Sequence, residues 1–125
     1  MSANKFDIET RVDARLLRIT LRGHWDLETV SAYRQALSQA VAQLYVSGCP
    51  RGSIVALVDA REAAAQAQDV VAFYKEHLGS SDLAPRRLAT LLSSALFKRQ
   101  VERIAISNQQ LFTDEEEAMR WLMER

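Results

Sequence analysis

The chain has 125 residues, 48% apolar and 26% charged, with Lys plus Arg equal to Asp plus Glu at 16 each. That length and composition specify one soluble globular domain over residues 1–125 with a continuous core, and exclude a disordered chain or a two-domain one. The balanced charge supplies no global field toward nucleic acid or an anionic membrane, which disfavours a partner drawn by net charge.

The single cysteine, Cys49, has no internal disulfide partner, and with only two histidines it makes no recognisable zinc pattern. No window approaches the roughly 20 apolar residues that span a bilayer. The first residues, Met1 to Asp7, lack a basic stretch followed by an apolar core. A cytoplasmic protein is expected.

Taken in order, Phe6, Ile8, Thr10 and Val12 alternate with Asp7, Glu9 and Arg11, and Leu17, Ile19 and Leu21 alternate with Arg18, Thr20 and Arg22. Two period-two runs separated by Asp13-Ala14 predict an antiparallel hairpin with one face on the core. Gly23 breaks the second run, and Asp26 is placed to cap a helix whose apolar stripe is Leu27, Val30, Tyr33, Leu37, Val41 and Leu44. That helix ends near Gly48, after roughly 20 residues or about 30 Å. Cys49, in Gly48-Cys49-Pro50, reads as an exposed turn residue.

Ser53-Ile-Val-Ala-Leu-Val-Asp59 is apolar throughout and then stops on a carboxylate. Such a run predicts a central strand covered on both faces. A helix is expected from Ala63 to Leu78, a surface loop from Ser80 to Pro85, and a further strand over Arg87–Leu92. The next helix is capped by Ser93 or Ser94 and runs to about Ile106, although Ile104-Ala-Ile106 also fits the start of a strand. A short last strand lies near Gln110–Phe112.

Thr113-Asp-Glu-Glu116 matches a capping box, with Thr113 as cap and Glu116 bonding back, while Asp114, Glu115 and Glu117 sit at the positive end of the helix dipole. Ala118, Met119, Trp121 and Leu122 dock this final helix. The sum is an α/β fold, a mixed four- to five-stranded sheet with an N-terminal antiparallel hairpin and about four helices on both faces, joined by right-handed crossovers.

Three stretches fall at characteristic places in that order: Leu21-Arg-Gly-His-Trp-Asp26 after the hairpin, Val55-Ala-Leu-Val-Asp59 in the central strand, and Phe112-Thr-Asp-Glu-Glu-Glu-Ala-Met-Arg-Trp-Leu122 at the close. Over nearly its whole length the chain resembles the STAS domain, above all the SpoIIAA-like branch of anti-sigma-factor antagonists. The resemblance implies a non-enzymatic regulatory module that binds a protein partner. In the antagonists a serine at the start of the helix after the central strand is phosphorylated to break the complex with a kinase partner. The matching place here is Ala67-Gln68, and no Ser or Thr occurs between Ser53 and Ser80. With no serine or threonine there to receive the charge of a phosphate, the resemblance implies the scaffold without the serine switch.

Open α/β sheets bind ligands at the carboxyl ends of their strands, which gathers His24, Trp25, Asp59, Arg61, Glu62 and Gln68 as candidate binding residues for a protein partner or a small apolar or anionic ligand. Local chemistry alone also accounts for several of them: Asp59 caps the loop or helix after it and pairs with Arg61, while Trp25 packs on the helix that Asp26 caps. A small hydrolase or transferase using Asp59 and His24 is the competing class, but no nucleophile or oxyanion motif accompanies them. A lipid-carrying role like that of SpoIIAA-like and Sec14-like relatives requires an apolar cavity between sheet and helix.

Arg86-Arg87 with Lys98-Arg99 and Arg103 form a local basic group without an aromatic platform, so no nucleic-acid partner is expected. No cofactor or metal is expected either, since there is no Gly-x-Gly-x-x-Gly, phosphate-binding loop, Gly-x-Ser-x-Gly or His-Glu-x-x-His. A homodimer is compatible with the chain.

Overall fold

Period-two patterning at the N-terminus builds the hairpin that starts the sheet: β1 (Phe6–Arg11) pairs antiparallel with β2 (Leu16–Gly23). This computed structural model describes residues 5–50, 52–63, 85–92 and 109–124. The expected helices after Ala63 and after Ser93, and the candidate Gln68, lie outside the described residues.

The hairpin register sets Phe6 opposite Leu21, Ile8 opposite Ile19 and Thr10 opposite Leu17, so the apolar members share one face. The connection is longer than Asp13-Ala14. It covers Val12 to Arg15, with Arg15 in the left-handed region at φ 53° and its N–H donating to the Val12 carbonyl at 3.1 Å. Leu16 therefore belongs to β2 and is buried on the face opposite Leu17. The strand has core on both sides at its start, which simple alternation did not anticipate.

Helix α1 (Leu27–Val46) is capped as expected, the Asp26 carboxylate accepting from the Thr29 N–H at 2.7 Å. Val30, Tyr33, Leu37, Val41 and Leu44 form its buried stripe. Leu27 does not: at the first helical position it is 44% exposed. Beyond the helix, Gly48 at φ 104° takes the left-handed conformation that glycine adopts without strain. The turn folds Cys49 inward, correcting the expected exposed cysteine. It is 4% exposed, its Sγ 3.8 Å from the Val12 carbonyl oxygen.

The central strand β3 (Val55–Ala63) begins two residues later than Ser53 and runs past Asp59. Residues 61–63, expected as the approach to a helix, are strand. The reason lies in the ladder with β2, where Thr20 faces Asp59 but Arg22 faces Glu62, so β3 carries one extra residue as a bulge. On its other side β3 pairs in parallel with β4 (Arg87–Leu91), and that ladder stops at Asp59 opposite Leu91. β5 (Gln109–Phe112) pairs parallel with β4. The result is a mixed five-stranded sheet in the order β1-β2-β3-β4-β5.

Each face of the sheet has its own core. Leu17, Ile19, Ala56, Val58, Ala60, Leu88 and Leu92 pack under α1, whereas Leu16, Val55, Leu57, Ala89 and Leu91 pack under α2 (Glu115–Met123) through Ala118 and Leu122. Met119 and Trp121 add partly buried contact on the α2 side, as the sequence predicts. The cap of α2 is Asp114 rather than Thr113, its carboxylate accepting from the Glu117 N–H at 3.0 Å. Aspartate fills that role at least as well as threonine, so the helix starts one residue later. At the other end, Arg87 and Arg86 donate to the carbonyls of Trp121 and Leu122, and the Arg87 guanidinium lies 5.1 Å from the Trp121 ring centroid.

The α1-side core centres on Tyr33, 1% exposed, with edge contacts to Phe6 at 5.5 Å and Trp25 at 5.1 Å between ring centroids. Tyr33→Ala is expected to cost about 3–5 kcal/mol in urea denaturation through the cavity it leaves. Val46→Ala, at a position 85% exposed, should stay within about 0.5 kcal/mol. Comparable losses for the two would contradict this placement of the core.

Candidate functional site

The site grows from one buried acid. Alternation along β3 turns Val55, Leu57 and Asp59 toward the α2 face, so Asp59 is buried with them, its side chain 12% exposed. A carboxylate out of water needs charged donors. The bulge supplies them by keeping Arg61 beside Asp59: Nε donates to Oδ1 at 2.9 Å and Nη2 to Oδ2 at 2.8 Å, a bidentate fork, with the Arg61 backbone N–H adding a bond to Oδ1 at 3.2 Å.

Two further groups close the network. Arg18 on β2 brings Nη2 to 3.8 Å from Asp59 Oδ2, and the same nitrogen donates to Oε1 of Glu115 at 2.8 Å. Arg61 Nη2 reaches that Oε1 at 3.2 Å. Glu115 is the first residue of α2, so two arginines hold the helix start onto the carboxyl end of the sheet. Positive and negative charges balance within the group. The side-chain hydrogen bonds from Arg61 hold the Asp59 carboxyl below its usual range despite the opposing effect of burial, and Arg18 adds to the lowering. The same bonds push the Arg61 guanidinium above its usual value.

A second ionic group lies alongside, where Arg22 is 2.8 Å from Asp7 and its Nε 3.8 Å from Glu62. Asp59, Arg61 and Glu62 thus stand in one neighbourhood. His24 and Trp25 do not join them as a single cluster. Trp25 is buried in the α1-side core, its indole N–H donating to the Arg22 carbonyl at 3.0 Å and its ring packed on Phe6 and Tyr33. His24 is exposed, and its carbonyl accepts from the Lys5 ammonium. The sheet therefore separates the Trp25 ring from the Asp59 carboxylate.

Sequence reasoning missed Arg18 and Glu115. Arg18 was readable as an outward residue of β2, but nothing in the alternation shows that an arginine on that face reaches two acids from other elements. The sequence presents Glu115 only as a charge favourable to the helix dipole. An acid paired this way is a poor proton acceptor near neutral pH, because a general base works best with a pKa close to the operating pH. The geometry builds a fixed, ionised surface.

No family model matches the chain, and no curated protein matches it. Solved structures do. The chain is similar to an uncharacterised protein from Shewanella loihica with a SpoIIAA-like fold, at a TM-score of 0.59 and 20% identity over 98% of each chain. It is also similar to an anti-sigma factor antagonist from Mycobacterium paratuberculosis, at a TM-score of 0.61 and 12% identity over 98% of each chain. The fold is SpoIIAA-like. Among the described residues, no helix is long and apolar enough to cross a membrane.

Because the folded pKa of Asp59 is lowered, its contribution to stability is complete above the ordinary carboxylate value of 3.8 and is lost as pH falls through the lower folded value. Asp59→Asn is expected to be less stable than the unaltered protein at neutral pH by about 1–3 kcal/mol, the range for charge-assisted hydrogen bonds. The two stability curves should converge below pH 3.8. A gap that stays constant into strong acid would show that the carboxylate charge is not what stabilises the site.

Proposed function

We propose that the chain is a non-enzymatic regulatory module that recognises a protein partner at the carboxyl end of its sheet, on the surface formed by Asp59, Arg61, Glu62, Arg18 and Glu115. The single observation that carries this reading is the closed Arg18–Asp59–Arg61–Glu115 network. It spends the one buried acid of the site on holding two guanidinium groups in place, while Arg61 and Glu115 stay 41% and 42% exposed as side chains. A charge pattern fixed in this way gives orientation and partner choice at little entropic cost on binding.

Likeness of fold to an anti-sigma factor antagonist supports a protein partner over a substrate. The absence of any Ser or Thr between Ser53 and Ser80 supports a surface that is not gated by phosphoserine or phosphothreonine at this place. A cytoplasmic location suits a regulatory module of this kind.

The test is a comparison of the intact protein with Arg61→Glu and Glu62→Lys as baits, with binding of the captured partner then measured in isolation. Reversal of a charge at the interface is expected to weaken the complex at least about tenfold, or 1.4 kcal/mol, and to flatten its salt dependence. A partner that binds all three proteins equally places the recognition surface elsewhere.

A further inference from the structure

We propose that the chain forms a weak homodimer by pairing the outer edge of β1, which has no partner strand among the described residues, with β1 of a second copy, in one register, centred on Thr10. β1 is a terminal strand of the sheet. The Arg22 N–H donates to the Lys5 carbonyl at 2.8 Å, which identifies Lys5–Arg22 as a hydrogen-bonded pair. Hydrogen-bonded and non-bonded pairs alternate along an antiparallel ladder. Asp7, Glu9 and Arg11 thus turn their backbone groups toward β2, and Phe6, Ile8 and Thr10 turn theirs outward. An outward row of amides and carbonyls is a template for another strand.

Side chains choose the register. For outward groups to meet, Ile8 or Thr10 of one copy must face Ile8, Thr10 or Val12 of the other. Placing Ile8 on Ile8 sets Asp7 against Glu9 and Lys5 against Arg11, both repulsive. Placing Ile8 on Thr10 sets Glu9 against Glu9 at the two-fold axis, which offsets its Asp7–Arg11 pairs, and placing Thr10 on Val12 sets Arg11 against Arg11 there and Glu9 against Asp13. Thr10 on Thr10 sets Glu9 of each copy against Arg11 of the other, in non-bonded pairs where the Cα atoms approach to about 4.5 Å. It also lays Ile8 against Val12, which is 42% exposed in the single chain. The ladder ends there, at the Val12–Arg15 turn.

The single chain leaves these charges available. Glu9 and Arg11 are exposed, two positions apart on one face of the strand, and neither is ion-paired among the described residues. Equal numbers of acidic and basic side chains remove the long-range repulsion that would keep copies apart. A ladder this short buries less than a standard interface of roughly 1,600 Å², so the dimer is micromolar or weaker and reversible.

Sedimentation velocity over a range of concentrations up to the millimolar tests the proposal, with circular dichroism confirming the fold of each variant. Intact protein should show a reversible monomer–dimer equilibrium that weakens in high salt. Glu9→Arg and Arg11→Glu should each weaken self-association at least tenfold. Mixed together, those two variants should form a heterodimer, because each Arg of one then meets a Glu of the other. Thr10→Pro, which removes an outward N–H without altering charge, should also abolish the dimer. Intact protein that stays monomeric throughout, a dimer indifferent to the single reversals, or variants that fail to associate when mixed would each overturn the assignment.

Discussion

The chain is built around the cost of an ionised carboxylate inside a β-sheet. Asp59 lies in the same inward row as Val55 and Leu57, and only charged donors make such a position tolerable. Arg61 comes from the same strand, Arg18 from the neighbouring strand, and Glu115 from the start of α2. The network therefore ties β2, β3 and α2 to one point. The helix, the bulge and the hairpin strand are positioned by the requirement that this charge be met, and the surface left at that point is rigid for the same reason.

The sheet also divides labour between its faces. On the α1 side, aromatic rings and aliphatic residues make a core in which Phe6, Trp25 and Tyr33 touch one another and the polar indole N–H finds a backbone carbonyl. On the α2 side the apolar core gives way to ions toward the carboxyl end of the strands. That asymmetry is what removes Trp25 from the candidate surface while leaving Asp59, Arg61 and Glu62 on it. It also explains the bulge, since one extra residue in β3 lets Arg61 stay beside Asp59 while the strand goes on pairing with β2 as far as Ala63.

The ladders on either side of β3 end at different places, and the site sits in that difference. Pairing with β4 stops at Asp59, whereas pairing with β2 continues for four residues. Beyond Asp59, β3 has no paired strand on the β4 side among the described residues, and Arg61 and Glu62 are exposed there.

Sequence by itself determined what depends on local periodicity and local chemistry. The antiparallel hairpin with its apolar face, the buried stripe from Val30 to Leu44, the cap at Asp26, the apolar run through Val58 and the docking residues of the last helix all follow from the spacing of apolar residues and from side chains that bond their own backbone. The pairing of Asp59 with Arg61, two residues apart, was legible for the same reason. Tertiary structure alone decided what depends on distant segments meeting. Alternation shows that Arg18 points away from Leu17 but not that Glu115, 97 residues later, meets it there. Composition marks Cys49 and Trp25 as noteworthy without saying that a left-handed Gly48 and an aromatic cluster draw both inward. The central run stopped being apolar at Asp59, yet the strand went on to Ala63, because strand length is set by the neighbour that offers hydrogen bonds and not by where the hydrophobic pattern ends.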